Sequence, residues 1–210
     1  MSNYKTVFFT LGILQIILGL SMIAPILAQF FYNELNSGFI SSGIVTVIFG
    51  VLFLLSNLDH DKKISLPQAF LLTALSWLSI AIFGSLPFVF SEINLSITDA
   101  FFESMSGITT TGATIISDLD NSPKSILLWR AIMQWLGGIG IVVMAITILP
   151  LLKVGGMQLF KMEGPDSTEK ILPRTIEVAA IIISTYIILT LLCGFFYWIF
   201  GMTVFDSICH

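Results

Sequence analysis

The sequence has 210 residues, with 13 acidic and 9 basic side chains and a formal net charge of -4. Only 10% of the residues are charged and 56% are hydrophobic, against about 25% charged in a typical soluble domain. This composition argues against a soluble or disordered protein and against a nucleic-acid binder, and it predicts an all-α protein that crosses a membrane several times.

Five apolar stretches are long enough to cross a bilayer as helices, which takes about 20 residues. The first follows Lys5 directly and is longer than the apolar core of about 7–15 residues in a signal peptide, so we interpret it as a retained helix. Pro67 suits a first helical turn, and Pro87 suits a helix end or a kink. The predicted spans are Thr6–Phe31, Gly38–Ser56, Leu66–Phe90, Ser122–Leu152 and Thr175–Met202.

The segment between the third and fourth spans is neither a spanning helix nor an ordinary polar loop. Ser96–Ser106 predicts a short amphipathic helix with Ser96 or Thr98 near its N-cap, and the uncharged run Gly107–Ser117 follows it. This order predicts a re-entrant pore loop, because non-helical backbone at membrane depth occurs only where protein or water surrounds it. The alternative is an external loop with helix-capping threonines, and composition alone does not favour either.

The lysines and arginines collect on one side of these spans, which predicts that the N-terminus lies in the cytoplasm. The segment Lys153–Arg174 then becomes a cytoplasmic connector, while Lys124 stays outside. The predicted cytoplasmic cations are Lys5, Lys62, Lys63, Lys153, Lys161, Lys170 and Arg174. The predicted outer acids are Glu34, Glu92, Asp99, Glu103, Asp118 and Asp120.

The run Thr109–Ala113 carries the chemistry of the predicted loop. Its carbonyl oxygens line a narrow path only if the backbone leaves both helix and strand geometry, and Gly112 reaches positive φ without steric cost. Rings of carbonyl oxygens replace the hydration shell of the ion in potassium pores. The short helix before the run is expected to point its partially negative C-terminal end toward the cavity, which favours a cation.

The charged residues around the loop suggest two further roles. Asp99 and Glu103 are four residues apart and share a helix face; with Asp118 and Asp120 they would make the outer mouth negative. A plainly solvated helix face is an equally good interpretation of this pair. Arg130 needs a partner if it lies in the hydrocarbon, and either Glu103 or Asp118 would serve; the alternative is an arginine that snorkels to the outer interface.

Other residues point away from catalysis. Gly137, Gly138 and Gly140 follow no strand, so they predict close helix packing or a flexible point rather than a nucleotide loop. Cys193 and Cys209 form no framework from which a redox compartment can be inferred. Nothing in the sequence indicates an enzyme.

Three segments closely resemble the Trk-type potassium uptake proteins, whose superfamily includes the Ktr and plant HKT transporters. They are Phe102–Thr114, Leu127–Val143 and Leu149–Gly164. The resemblance implies four unequal repeats, each an outer helix, a pore loop and an inner helix, in pseudo-fourfold symmetry. It divides this chain into two extra N-terminal helices (1–63), a first repeat (64–152), a cytoplasmic connector (153–174), and the outer helix of a second repeat with the start of its pore helix (175–210).

By position, Thr110 and Thr111 resemble the filter residues that offer backbone carbonyls to potassium. Gly112 resembles the glycine at each filter bend, and Phe205–His210 resembles the start of the second pore helix. A loop with one glycine and no aromatic clamp is expected to discriminate for potassium less strictly than a potassium-channel filter.

The resemblance implies potassium uptake through a multi-pass protein of the cytoplasmic (inner) membrane. Potassium is the transported substrate, and no bound cofactor is expected. The implied partners are membrane lipid, a cytosolic nucleotide-binding regulatory subunit and a second copy in a homodimer. Because only one of four filter loops is present, we expect a truncated frame, a split gene or a fragment; the alternative function is a non-transporting fragment or an accessory subunit of a full-length relative.

Overall fold

The computed structural model describes residues 4–34, 36–59, 64–119, 121–152 and 168–210, and helices dominate these ranges. Five of the helical stretches are long and apolar enough to span a membrane, which confirms the predicted number. The helices in chain order are α1 (Lys5–Ser21), α2 (Ile23–Tyr32), α3 (Gly38–Ser56), α4 (Leu66–Phe90), α5 (Ile97–Ile108), α6 (Lys124–Leu152), α7 (Thr168–Ile199) and α8 (Val204–Cys209).

The first predicted span differs from the expectation, because it is interrupted at Met22 and forms α1 and α2. Pro25, in the first turn of α2, has no N–H to bond to the carbonyl of Ser21. At the same break, the Met22 N–H bonds to the carbonyl of Gly19, three rather than four residues back, at 3.3 Å. The bounds of α3 and α4 agree with the prediction, because polar residues flank both helices.

Helices α1 and α3 approach each other through four glycines, which we call the glycine seam: Gly12, Gly19, Gly43 and Gly50. A Cβ at position 12 would lie 2.7 Å from the Gly50 carbonyl oxygen, and a Cβ at position 50 would lie 2.9 Å from that of Gly12. A Cβ at position 19 would lie 3.2 Å from the Gly43 oxygen. Small residues thus bring the two backbones into contact, as in many packed membrane helices.

Polar side chains inside this helix pair bond mainly within their own helix. Ser42 Oγ donates to the Gly38 carbonyl at 2.6 Å, and Thr46 Oγ1 donates to the Ser42 carbonyl at 2.7 Å. Gln15 is the exception, because its Nε2 donates across to Ser79 Oγ of α4 at 2.6 Å. Gln15 Oε1 is buried and has no hydrogen-bond partner among the described residues.

Trp129 is the centre of the core that holds α4, α5 and the first half of α6 together. Its side chain is fully buried, and its Nε1 donates to the Gly84 carbonyl of α4 at 3.0 Å. Phe39 meets its ring edge-on, with centroids 6.1 Å apart. Gly84 leaves room for Met133 and for Ser104 of α5, whose atoms would lie within 2.7 Å of a Cβ there.

The chain divides into two compact units, Met1–Gly138 and Ile139–His210. In the second unit α8 packs on α7, where the Tyr197 and His210 rings lie 6.5 Å apart. Helix α8 starts with an N-cap at Thr203, whose Oγ1 accepts from the Asp206 N–H at 3.1 Å. A helix therefore begins close to the predicted position of Phe205–His210. Residues 153–167 of the predicted connector lie outside the described residues, and its last part, residues 168–174, is helical because α7 begins at Thr168 rather than at Thr175.

Candidate functional site

The short helix predicted between the third and fourth spans is α5. Ser96 is its N-cap, with Oγ accepting from the Asp99 N–H at 3.2 Å and donating to Asp99 Oδ2 at 2.7 Å. This reciprocal bonding satisfies an N–H that a helix start leaves free, and the acid favours the helix dipole. Helix α5 ends at Ile108, where Thr109 adopts φ -81° and ψ 3°.

The backbone after α5 leaves helical geometry at alternate residues. Thr110 has φ +59° and Gly112 has φ +77°, while the residues on either side of each have negative φ. The positive φ expected at Gly112 is confirmed. That of Thr110 was not predicted, because a β-branched residue in this region is a rare outlier that costs about 1–3 kcal/mol.

The N–H groups of this loop turn back onto the end of α5. Those of Thr111 and Gly112 both donate to the Ser106 carbonyl, at 3.0 and 3.4 Å, and that of Thr110 donates to the Gly107 carbonyl at 3.0 Å. Alternating φ signs turn successive N–H groups toward one side of the backbone. Among the described residues, the carbonyl oxygens of 109–112 accept no hydrogen bond.

The hydroxyl groups of Thr109 and Thr111 are turned toward α5. Thr109 Oγ1 donates to the Met105 carbonyl at 2.7 Å and lies 2.9 Å from Thr111 Oγ1. Because the Thr109 hydrogen is used on Met105, Thr111 is the donor of this pair. The side chains thus stabilise the loop from the helix side and leave the carbonyls of Thr110 and Thr111 for another partner.

Two side chains of α5 hold the part of the loop that follows Gly112. Ser106 Oγ donates to the Ala113 carbonyl at 2.6 Å. Glu103 Oε2 accepts from the Ile115 N–H at 3.0 Å and from Thr114 Oγ1 at 3.2 Å. Ser106 was missed in the sequence, because no spacing rule indicates which serine of a helix faces its own loop.

Arg130 of α6 forms an ion pair with Glu103, one of its two predicted partners. Its Nε lies 2.6 Å from Glu103 Oε1, although the N–H is not aligned for a hydrogen bond. Glu103 is 1% exposed, so this carboxylate links α6, α5 and the loop. The predicted pairing of Arg130 with Asp118 is wrong, because the Asp118 carboxylate bonds elsewhere: both of its oxygens accept from Asn121 Nδ2 at 3.1 Å. We call Glu103, Ser106 and Arg130 the loop clamp.

The negative outer mouth needs correction at Glu103. Its burial and its pairing with Arg130 remove it from any exposed acidic surface, so the predicted solvated face is also wrong for this residue. Asp118 is exposed and Asp99 is half-buried, and their place in a negative outer mouth stays a prediction. Asp120 lies outside the described residues.

Helix α6 packs against the end of α5 through Gly137. A Cβ at this position would overlap the carbonyl oxygen of Ile108, the residue at which α5 ends. The close packing predicted for the glycine run is confirmed at this position. Gln134, one turn earlier, has its Nε2 3.7 Å from the place of a Cβ on Gly112, which brings an amide beside the bend.

The three residues predicted to contact the ion, Thr110, Thr111 and Gly112, are adjacent and exposed at the bend of this loop. Their contact with a cation stays a prediction.

Comparison with known proteins matched residues 36–208 to the family model of the cation transport protein TrkH. The chain is 39% identical to the Trk system potassium uptake protein TrkH of Vibrio parahaemolyticus and 40% identical to that of Escherichia coli K12. Both matches cover 99% of this chain but only 44% of the relative. The crystal structure of the potassium transporter TrkH from Vibrio parahaemolyticus superposes with a TM-score of 0.87 and 36% identity, over 100% of this chain and 42% of the other.

Proposed function

Because the chain belongs to the TrkH family of cation transport proteins, we propose that it forms the N-terminal part of a potassium uptake protein of the cytoplasmic membrane. The loop after α5 would be one wall of the ion path. The observation that carries this proposal is the row of carbonyl oxygens at Thr110, Thr111 and Gly112, which accept no hydrogen bond from the described residues. A dehydrated alkali ion needs oxygen ligands of this kind.

The way the loop is held supports a role in ion contact. Its N–H groups donate to the carbonyls of Ser106 and Gly107, and the loop clamp holds the residues that follow Gly112. The carbonyls are therefore oriented before an ion arrives. Preorganised dipoles stabilise charge without a reorganisation cost at the moment of binding. The C-terminal end of α5, at the base of the loop, adds partial negative charge.

One loop supplies about a quarter of the ligands that a four-loop filter provides. The chain spans less than half the length of the curated relatives that it matches, so we propose that the other loops come from sequence beyond these 210 residues. Uptake would then follow the membrane potential, which contributes about 2.3 kcal/mol per unit charge at 100 mV.

The orientation is also part of the proposal, with the N-terminus inside and the loop entered from outside. Lys5 and Asp59 lie 3.7 Å apart, which supports a shared side for the start of α1 and the loop after α3. Lys124 and Glu34 lie together at the other end of these helices. A cytosolic nucleotide-binding subunit would bind on the inner side, and the intact protein would be a homodimer.

The experiment that tests the proposal measures rubidium, potassium and sodium uptake by the natural full chain in a potassium-requiring strain. Gly112→Ser is the informative variant: a Cβ at Gly112 meets only Gln134 Nε2, at 3.7 Å, so its effect comes from φ +77° rather than from crowding. We expect uptake to fall and the sodium-to-potassium ratio to rise, since a side chain at positive φ costs about 1–2 kcal/mol.

Gly43→Ala is the matched control, because a Cβ there makes ordinary contacts of 3.5 Å or more. Unchanged uptake and selectivity in Gly112→Ser, at normal membrane abundance, would overturn the role of the loop.

The coverage of relatives also supports a second candidate, a non-transporting accessory subunit of a full-length relative. A natural reading frame without further Thr/Gly loops, together with no uptake, would favour that candidate.

A further inference from the structure

The first turn of α6 lacks a cap from its own sequence. The residue before Lys124 is Pro123, which has no side-chain acceptor. The Pro123 carbonyl accepts from the N–H groups of Ile126 and Leu127, at 3.0 and 3.1 Å. The N–H groups of Lys124 and Ser125 therefore need acceptors from elsewhere in the protein.

Glu34, between α2 and α3, supplies both acceptors from 90 residues away. Its Oε1 accepts from the Lys124 N–H at 2.5 Å, and its Oε2 accepts from the Ser125 N–H at 3.1 Å and from Ser125 Oγ at 2.7 Å. A carboxylate at this place also interacts favourably with the positive end of the helix dipole.

The capped turn stands directly before the residue that holds the loop. Arg130 is six residues after Lys124, and pairs with Glu103, which binds the Thr114 hydroxyl and the Ile115 N–H. Glu34 is thus joined to the loop by an unbroken series of hydrogen bonds, one helix segment and one ion pair.

We propose that Glu34 is a positioning residue for the loop, acting through α6: it fixes the start of α6 and thereby the height at which Arg130 meets Glu103. In its effect on transport this inference rests on the proposed function. It assigns a task to the two extra N-terminal helices, because the connection between them carries Glu34, the carboxylate that caps α6.

The test measures how fast a membrane-impermeant thiol reagent modifies Ala113→Cys in the natural full chain with Cys193 and Cys209 replaced by serine. Glu34→Gln keeps the size of the side chain but loses the charge and one acceptor. We expect about a fivefold faster reaction, which corresponds to about 1 kcal/mol of lost capping. Glu92→Gln is the control, because Glu92 is exposed and has no hydrogen bond within the described residues.

A second-site variant tests the route through α6. Pro123→Asp places an acceptor at the N-cap position itself, and combined with Glu34→Gln it should return the reaction rate and the sodium-to-potassium uptake ratio to near the wild-type values. Equal rates for Glu34→Gln and Glu92→Gln would overturn the proposal, and so would a faster rate that Pro123→Asp does not reverse.

If Glu34→Gln fails to reach the membrane, Glu34→Asp and the Pro123→Asp combination replace it in the same comparison. Loss of both from the membrane would also overturn a role limited to positioning. The thiol rates decide the proposal even if the wild-type chain transports no potassium, and that result would count against the proposed function alone.

Discussion

The glycine seam and the loop clamp hold backbone segments together by opposite means. In the seam, α1 and α3 meet where side chains are missing, and the hydroxyls of Ser42 and Thr46 are satisfied within α3. In the clamp, Glu103 and Ser106 of α5 bond to the loop, and a buried charge pair joins α5 to Arg130 of α6. Shape therefore specifies the first contact and hydrogen-bond chemistry the second, so substitutions in the two regions should fail for different reasons.

The largest effect is expected at the buried charge of the clamp. Glu103→Gln leaves Arg130 without a counter-charge, and breaking a buried pair costs about 3–5 kcal/mol. Membrane abundance, the unfolding temperature of the purified full chain and the uptake ratio should all change. The exchange of Glu103→Arg with Arg130→Glu should restore little, because Ile115 N–H and Thr114 Oγ1 then lose their acceptor.

Arg130→Glu with Asp118→Arg is the control for that exchange, since Asp118 bonds to Asn121 instead. Recovery in this combination and not in the other would show that the ion pair at Glu103 is misassigned.

A smaller but still clear effect is expected at Gly137, where α6 packs closely against the end of α5. Gly137→Ala places a Cβ on the Ile108 carbonyl oxygen, so α5 or α6 must shift, and overpacking costs about 1–3 kcal/mol. Uptake should fall along with abundance. Gly140→Ala, where no described atom lies within 4 Å of the new Cβ, should leave the abundance unchanged.

The seam predicts a graded pair of variants. In Gly50→Ala the Cβ would lie 2.9 Å from the Gly12 oxygen and from the Ile16 nitrogen, whereas in Gly43→Ala the nearest atom is 3.5 Å away. The unfolding temperature of the purified chain should fall clearly in the first, by the equivalent of about 1–2 kcal/mol. It should barely change in the second, and selectivity should be unchanged in both. Equal unfolding temperatures would contradict the register of the two helices.

The smallest effect is expected at Gln15, where a side chain next to the seam makes a hydrogen bond to another helix, as side chains do in the clamp. Gln15→Leu removes the bond to Ser79 but also the buried Oε1 that has no partner. Hydrogen bonds between membrane helices average about 0.6 kcal/mol, so the free energy of unfolding should change by less than 1 kcal/mol in either direction. A loss comparable to that of Glu103→Gln, measured in the same unfolding assay, would erase the distinction between the two regions.

The sequence predicted those features that depend on neighbouring residues or on a strong chemical requirement. The bounds of α3 and α4, the N-cap at Ser96 and the positive φ at Gly112 follow from local rules. Glu103 was one of the two partners predicted for Arg130, because a charge in hydrocarbon needs a partner.

What the sequence did not predict depends on which surfaces meet. Nothing local indicates that Gly12 faces Gly50, that Ser106 faces its own loop, or that Thr110 accepts a strained φ. The interruption at Met22 was missed because the first span was predicted from its apolar composition, which takes no account of the N–H that Pro25 lacks. The burial of Glu103 was missed for the same reason as the seam, since it depends on the position of α6.

The four glycines also set how far α1 is able to slide along α3. Within each helix they are seven residues apart, two turns, so both contacts form together in a single alignment. A displacement by one turn would press larger side chains against backbone at both points at once. The seam therefore fixes the alignment of α1 with α3, and with it the place of the connection from which Glu34 reaches α6.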